Sequence, residues 1–150
     1  MFAGTGGSGV EDMPSEHNLS MSKKCADCHM YKVSGEKEEV VDISKQMGGH
    51  TFRADERYCL KCHRDAGSMM AKWKAENSEL VKQLKALLDS SADKTTKVYK
   101  EAKLNHDLVR ADSGIGFHNP RYAQAILRHS ISSLQIKSWD QPTESPDKPE

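Results

Sequence analysis

The chain is short of apolar side chains. Hydrophobic residues fill 36% of its 150 positions, against about 45–50% in a typical globular domain. Aromatics make up 6% and charged residues 29%. A chain this polar buries little apolar surface per residue. Either part of it is disordered, or something apolar other than protein completes the core. Excess charge of either sign is also missing, because 22 Lys and Arg balance 22 Asp and Glu. That argues against a nucleic-acid binder, which needs a basic face. No apolar run approaches the roughly 18 residues of a membrane-spanning helix. The opening MFAGTGGSGVEDMPSEHN has neither a basic start nor a long apolar stretch and does not read as a signal peptide. A mature chain, a fragment or a cytoplasmic protein is expected, one domain in size.

Cysteine is scarce too, yet its four copies are placed with care. They occur in KKCADCHMYK and RYCLKCHRDA, as Cys25-x-x-Cys28-His29 and Cys59-x-x-Cys62-His63. Two disulfides would suit a secreted chain, but Cys-x-x-Cys pairs seldom close structural bridges with each other. A redox dithiol belongs at a strand-to-helix turn of a βαβ unit, and no such pattern is visible. Four thiolates would hold a tetrahedral zinc, although the stretch between the pairs is longer than the usual 15–20 residues or so. Covalent attachment of a c-type haem alone demands the histidine after each pair. There the thiols bond the porphyrin edge and the adjacent imidazole reaches the iron. Two c-type haems are therefore expected, with Cys25, Cys28, Cys59 and Cys62 as attachment points and His29 and His63 as proximal iron ligands. They would also supply the missing apolar core.

Two irons need two further axial ligands or keep open positions. His17, His50, His106, His118 and His129 remain. His50, in MGGHTFR, follows two glycines that allow the backbone close to a flat ring, though it also suits an ordinary loop. His118, in GIGFHNPRYA, precedes Asn119 and Pro120, a good N-cap and first helical residue. It is mounted either as a ligand or as a residue packing ahead of the helix. His17 stands in a polar loop and reads equally as a ligand or as nothing. His106 and His129 fall inside expected helices, where structural or surface roles are favoured. Met69 and Met70 read as packing.

The fold class expected is mainly α, with few or no strands. Residues 1–24 are Gly- and Ser-rich without helical period and read as an irregular arm. Residues 25–138 form a dihaem domain: an irregular haem-binding region at 25–65, then a helical region at 66–138. A short strand pair around Ser34-Gly35 is the one strand expectation. Apolar spacing predicts three amphipathic helices. The first covers Ala66–Asp89, with Met69, Trp73, Leu80, Leu84 and Leu87 inward. The second covers about 93–111, with Val98, Ala102, Leu104, Leu108 and Val109 inward. The third runs from Pro120 to about Lys137, with Ala123, Ile126, Leu127, Ile131 and Leu134 inward. Residues 139–150, rich in Pro and acids, read as a disordered tail.

CADCHM, HTF, CLKCH, the long helices and GFHNPRYAQAIL together resemble the carboxy-terminal part of the multihaem cytochromes c related to pentahaem ammonia-forming nitrite reductase. The resemblance covers roughly residues 15–137. It implies that His17, His50 and His118 lie near haems, the last two as axial ligands, and that the upstream histidine serves the active site in the enzyme. It also implies that the long helices form a subunit interface, giving a homo-oligomer. The family's catalytic haem carries lysine in place of the motif histidine, and this chain has no Cys-x-x-Cys-Lys; the family's amino-terminal haems are absent as well.

The expected function is electron transfer through two bis-histidine haems, of lower potential than His/Met haems, exchanging electrons with other redox proteins or cytochrome subunits. A carrier is favoured over a catalyst. The alternative is a carboxy-terminal part or subunit of a multihaem oxidoreductase of the nitrite reductase type, with one iron open near His17. Because haem is attached outside the bacterial cytoplasm, a periplasmic or extracellular location follows. No nucleic-acid partner and no transmembrane segment are expected.

Overall fold

The computed structural model describes residues 1–31 and 48–139, apart from the side chains of His50 and of 137–139. The expected strand pair at Ser34-Gly35 and nearly all of the expected tail lie outside the described residues. Among the described residues, six α-helices follow in order: α1 (Glu16–Ser20), α2 (Cys25–His29), α3 (Glu56–Cys59), α4 (Ala66–Ser90), α5 (Lys97–Ala111) and α6 (Pro120–Trp139), with a 3-10 turn at Gly49–Thr51. No strand occurs among the described residues. The fold is mainly helical, and its three long helices each pack on the other two.

Local chemistry sets the ends of the long helices. Asp65 caps α4, its carboxylate accepting from Ser68 N–H at 3.2 Å. Lys85 and Asp89, one turn apart and 2.7 Å between charges, support its exposed face. The second long helix begins later than its apolar spacing predicts. Asp93 Oδ1 accepts from the backbone N–H of Thr95 at 2.8 Å and from its hydroxyl at 2.6 Å. This local turn competes with helix and hands the cap to Thr96, whose hydroxyl accepts from Tyr99 N–H at 3.2 Å. Asn119 caps α6 as expected, accepting from Tyr122 N–H at 3.2 Å. The preceding corner needs glycine at 116: its φ is +78°, and a Cβ there would stand 2.4 Å from that of Ala123.

The core joins Leu80, Val81, Leu84 and Leu88 of α4, Ala102 and Val109 of α5, and Tyr122, Ala123, Ile126 and Leu127 of α6. Leu104 does not belong to it. The buried stripe of α5 runs through Ala102, Asn105, His106 and Val109, and Leu104 is 49% exposed. Two of those inward positions carry polar side chains, so counting apolar residues alone misplaces the stripe. Val98 and Leu108 of α5, and Met69, Trp73 and Leu87 of α4, are only half-buried.

Asn105 explains why a polar residue is tolerated there. Its Oδ1 accepts from Ser8 N–H at 2.7 Å, and its Nδ2 donates to Ser8 O and Ser130 Oγ, both at 2.9 Å. Gly7 N–H donates to the Tyr122 hydroxyl at 2.8 Å. The amino-terminal arm is thus irregular, as expected, but it is laid onto α5 and α6. Gly7 permits this approach, since a Cβ there would stand 2.8 Å from both Ile126 Cγ2 and the Tyr122 hydroxyl. Further along, Asn119 Nδ2 donates to Met13 O at 2.6 Å. This tether delivers α1, whose first turn is capped by Ser15.

Leu84 is fully buried and Leu104 is not, and their truncations are expected to separate sharply. Leu84→Ala costs about 2–5 kcal/mol. Leu104→Ala changes stability by no more than about 0.5 kcal/mol. Urea denaturation followed by circular dichroism checks both.

Candidate functional site

The first motif is a single helical turn, since α2 spans Cys25 to His29. Positions i, i+3 and i+4 share one helix face, so its two thiols and its imidazole point the same way. The second motif winds likewise off the end of α3. The N–H groups of Cys62 and His63 both donate to Cys59 O, at 3.1 and 2.8 Å. Tyr31 and Tyr58 bring the two turns side by side, their rings 4.9 Å apart, with Lys61 Nζ 4.3 and 4.8 Å from the two ring centroids. All four thiols are free. Burial pushes the Cys28 and Cys59 thiols up, and the proximity of Cys59 adds to the effect on Cys28.

His29 Nδ1 lies 2.9 Å from Phe52 O. A carbonyl only accepts, so Nδ1 carries the proton and the Nε2 lone pair is left open. The Phe52 ring also stacks on His29, with centroids 4.6 Å apart and planes 11° from parallel. Phe52 is presented by the loop 48–53, closed by Gly48 N–H donating to Arg53 O at 2.6 Å. His50, expected as an axial ligand, stands in this loop, and its side chain lies outside the described residues.

His118 is held by a carboxylate. Its Nδ1 contacts Oδ1 of Asp112, whose side chain is only 6% exposed. Burial pushes the Asp112 carboxyl up, but the His118 hydrogen bond outweighs it and holds the group below the usual range. The same contact pushes His118 up against the effect of its own burial. The ionised carboxylate can only accept, so here too Nδ1 donates, and Nε2 is the nitrogen left to a metal.

The fold brings these imidazoles together in pairs. The rings of His29 and His118 have centroids 6.0 Å apart. Those of His63 and His17 lie 5.9 Å apart, at 84°. Two imidazoles gripping one metal from opposite sides, each nitrogen about 2 Å from it, have centroids about 6 Å apart. Ordinary aromatic pairs span about 4.5–7 Å as well. What distinguishes these pairs is that each joins a motif histidine to a histidine from a distant segment. His106 is buried in α5, with Nδ1 3.1 Å from Asp107 Oδ1, and His129 is exposed on α6. Neither joins the pairs, in keeping with structural and surface roles. Among the described residues no three His, Cys, Asp or Glu side chains gather as one metal's ligands.

Apolar side chains line the same region. Among the described residues, Leu19, Met30, Phe52 and Leu60 are exposed by 68%, 47%, 53% and 54%. Each lies next to a motif or to one of the paired histidines, where a flat apolar group would cover it.

Sequence reasoning missed Asp112 and the carbonyl of Phe52. Asp112 carried a faint signal, an acid just across the Ser-Gly-Ile-Gly turn from His118; a backbone carbonyl carries none. No family model, no curated protein and no solved structure matches this chain.

In the unmodified polypeptide, iodoacetamide at pH 8 is expected to label Cys25 and Cys62 before Cys28 and Cys59. The first two are exposed, and a raised pKa leaves less reactive thiolate on the others. Peptide mass spectrometry over a labelling time course checks the order.

Proposed function

We propose that the chain is an electron-transfer module carrying two covalent c-type haems, one held by His29 and His118 and the other by His63 and His17. Cys25 and Cys28 anchor the first, Cys59 and Cys62 the second. The carrying observation is the pairing itself: each Cys-x-x-Cys-His imidazole lies beside a second imidazole, with ring centroids 6.0 and 5.9 Å apart, about the separation that a shared iron requires. Three further features support the reading. The Nε2 atoms of His29 and His118 are left free by their Nδ1 hydrogen bonds. Exposed apolar side chains flank the motifs. The low apolar content of the chain leaves room for a non-protein core.

When bound, the haems supply iron that cycles between Fe(II) and Fe(III). The protein's part is to hold two imidazoles on each iron, which closes it to other ligands and sets a potential below that of a His/Met iron. A chain without net charge suits brief encounters with partner redox proteins, without strong steering. In bacteria haem is attached outside the cytoplasm, so this reading carries a periplasmic or extracellular location with it. No helix among the described residues is long and apolar enough to cross a membrane.

A second reading rests on His17. It is exposed on a five-residue helix, and its ring makes no hydrogen bond among the described residues. A small substrate would displace this ligand first, as in a carboxy-terminal part or subunit of a nitrite-reductase-type multihaem enzyme.

Expressed in a haem-attaching host, the protein is expected to gain the mass of two haems and show a Soret band; an unmodified, colourless product overturns the proposal. His118→Met is expected to raise the potential of one couple and leave the other in place. The reduced wild-type protein is expected not to bind carbon monoxide. Rapid uptake of one equivalent would replace the pure carrier with the enzyme reading.

A further inference from the structure

The two histidine pairs are not equivalent. In the first, both rings are tied at Nδ1: His29 to the Phe52 carbonyl, and His118 to the buried carboxylate of Asp112. In the second, neither the His17 ring nor the His63 ring makes a hydrogen bond among the described residues. A carboxylate behind a ligating imidazole fixes its orientation and strengthens it as a donor. It also places a negative charge, poorly screened by water, close to the metal. Both effects favour Fe(III) over Fe(II).

Resting on the dihaem reading above, we infer that Asp112 is a positioning residue that makes the His29–His118 iron the lower-potential centre of the two. Asp112 closes α5 and His118 stands just before α6, so two packed helices fix their contact. One Asp112 oxygen, Oδ2, is buried without a hydrogen-bond partner. Electrons then enter at the His29–His118 iron and pass to the His17–His63 iron. Of the four paired histidines only His17, on the receiving side, is exposed. Each transfer oxidises one Fe(II) to Fe(III) and reduces the other iron from Fe(III) to Fe(II), with no bond made or broken.

Spectroelectrochemical titration of the dihaem protein, wild type against Asp112→Asn and Asp112→Glu, tests this. Two one-electron couples are expected in the wild type. In Asp112→Asn the lower couple rises by about tenfold in its Fe(III)/Fe(II) equilibrium, about 59 mV for one electron, while the upper couple stays. Asp112→Glu restores part of the difference. If Asp112→Asn carries both haems by mass and both couples keep their wild-type values, the role of Asp112 is overturned and the dihaem reading stands. If the wild type carries no haem, it is the dihaem reading that fails.

The wild type offers a check that needs no variant. In the ferric protein, proton NMR is expected to show two hyperfine-shifted imidazole Nδ1 protons, those of His29 and His118, exchanging slowly with water, and two exchanging fast. Four protons exchanging alike would overturn the inference.

Discussion

The carboxamide of Asn119 holds the two ends of this chain in one place. Its oxygen caps α6 and its nitrogen grips Met13 O. The capping bond places the turn that carries His118, and the grip on Met13 delivers the short helix that carries His17. Asn119 is 3% exposed, so neither bond competes with water, and losing one would leave a buried polar group unpaired, at a cost of about 1–3 kcal/mol. Asn105 does similar work further along the arm, through Ser8 and Ser130. Buried carboxamides, rather than apolar contacts alone, thus decide where the amino-terminal arm lies.

This use of polar groups fits the composition. The three long helices share a modest core, and the arm is attached to them by hydrogen bonds to Tyr122 and Asn105. No motif residue belongs to that core, and large apolar side chains are left exposed around the motif turns. The stability of that region would then depend on what occupies it. In the proposed reading the haems complete the core, and the difference between the two histidine pairs gives the transfer its direction.

The helices were largely legible in the sequence, because apolar spacing and capping chemistry are local. Ala66, Asn119 and Pro120 mark ends that the structure reproduces. Where the reading slipped, a polar side chain had taken an apolar role or a local turn had pre-empted the helix. Asn105 and His106 occupy the buried stripe that Leu104 was expected to join, and Asp93 captures Thr95 so that α5 starts at Lys97. The arm was legible as irregular but not as docked, because its partners lie some hundred positions away in the chain.

The spacing of Cys25, Cys28 and His29, and of Cys59, Cys62 and His63, by itself determined that each set shares one face of a turn, since helical geometry acts over four residues. Which imidazole stands opposite each motif was decided only by tertiary structure. His118 reaches His29, and His17 reaches His63, across separations that no local rule spans. The carboxylate behind His118 belongs to the same category: that it is buried, ionised and aimed at Nδ1 depends on how α5 and α6 pack, and not on any pattern along the chain.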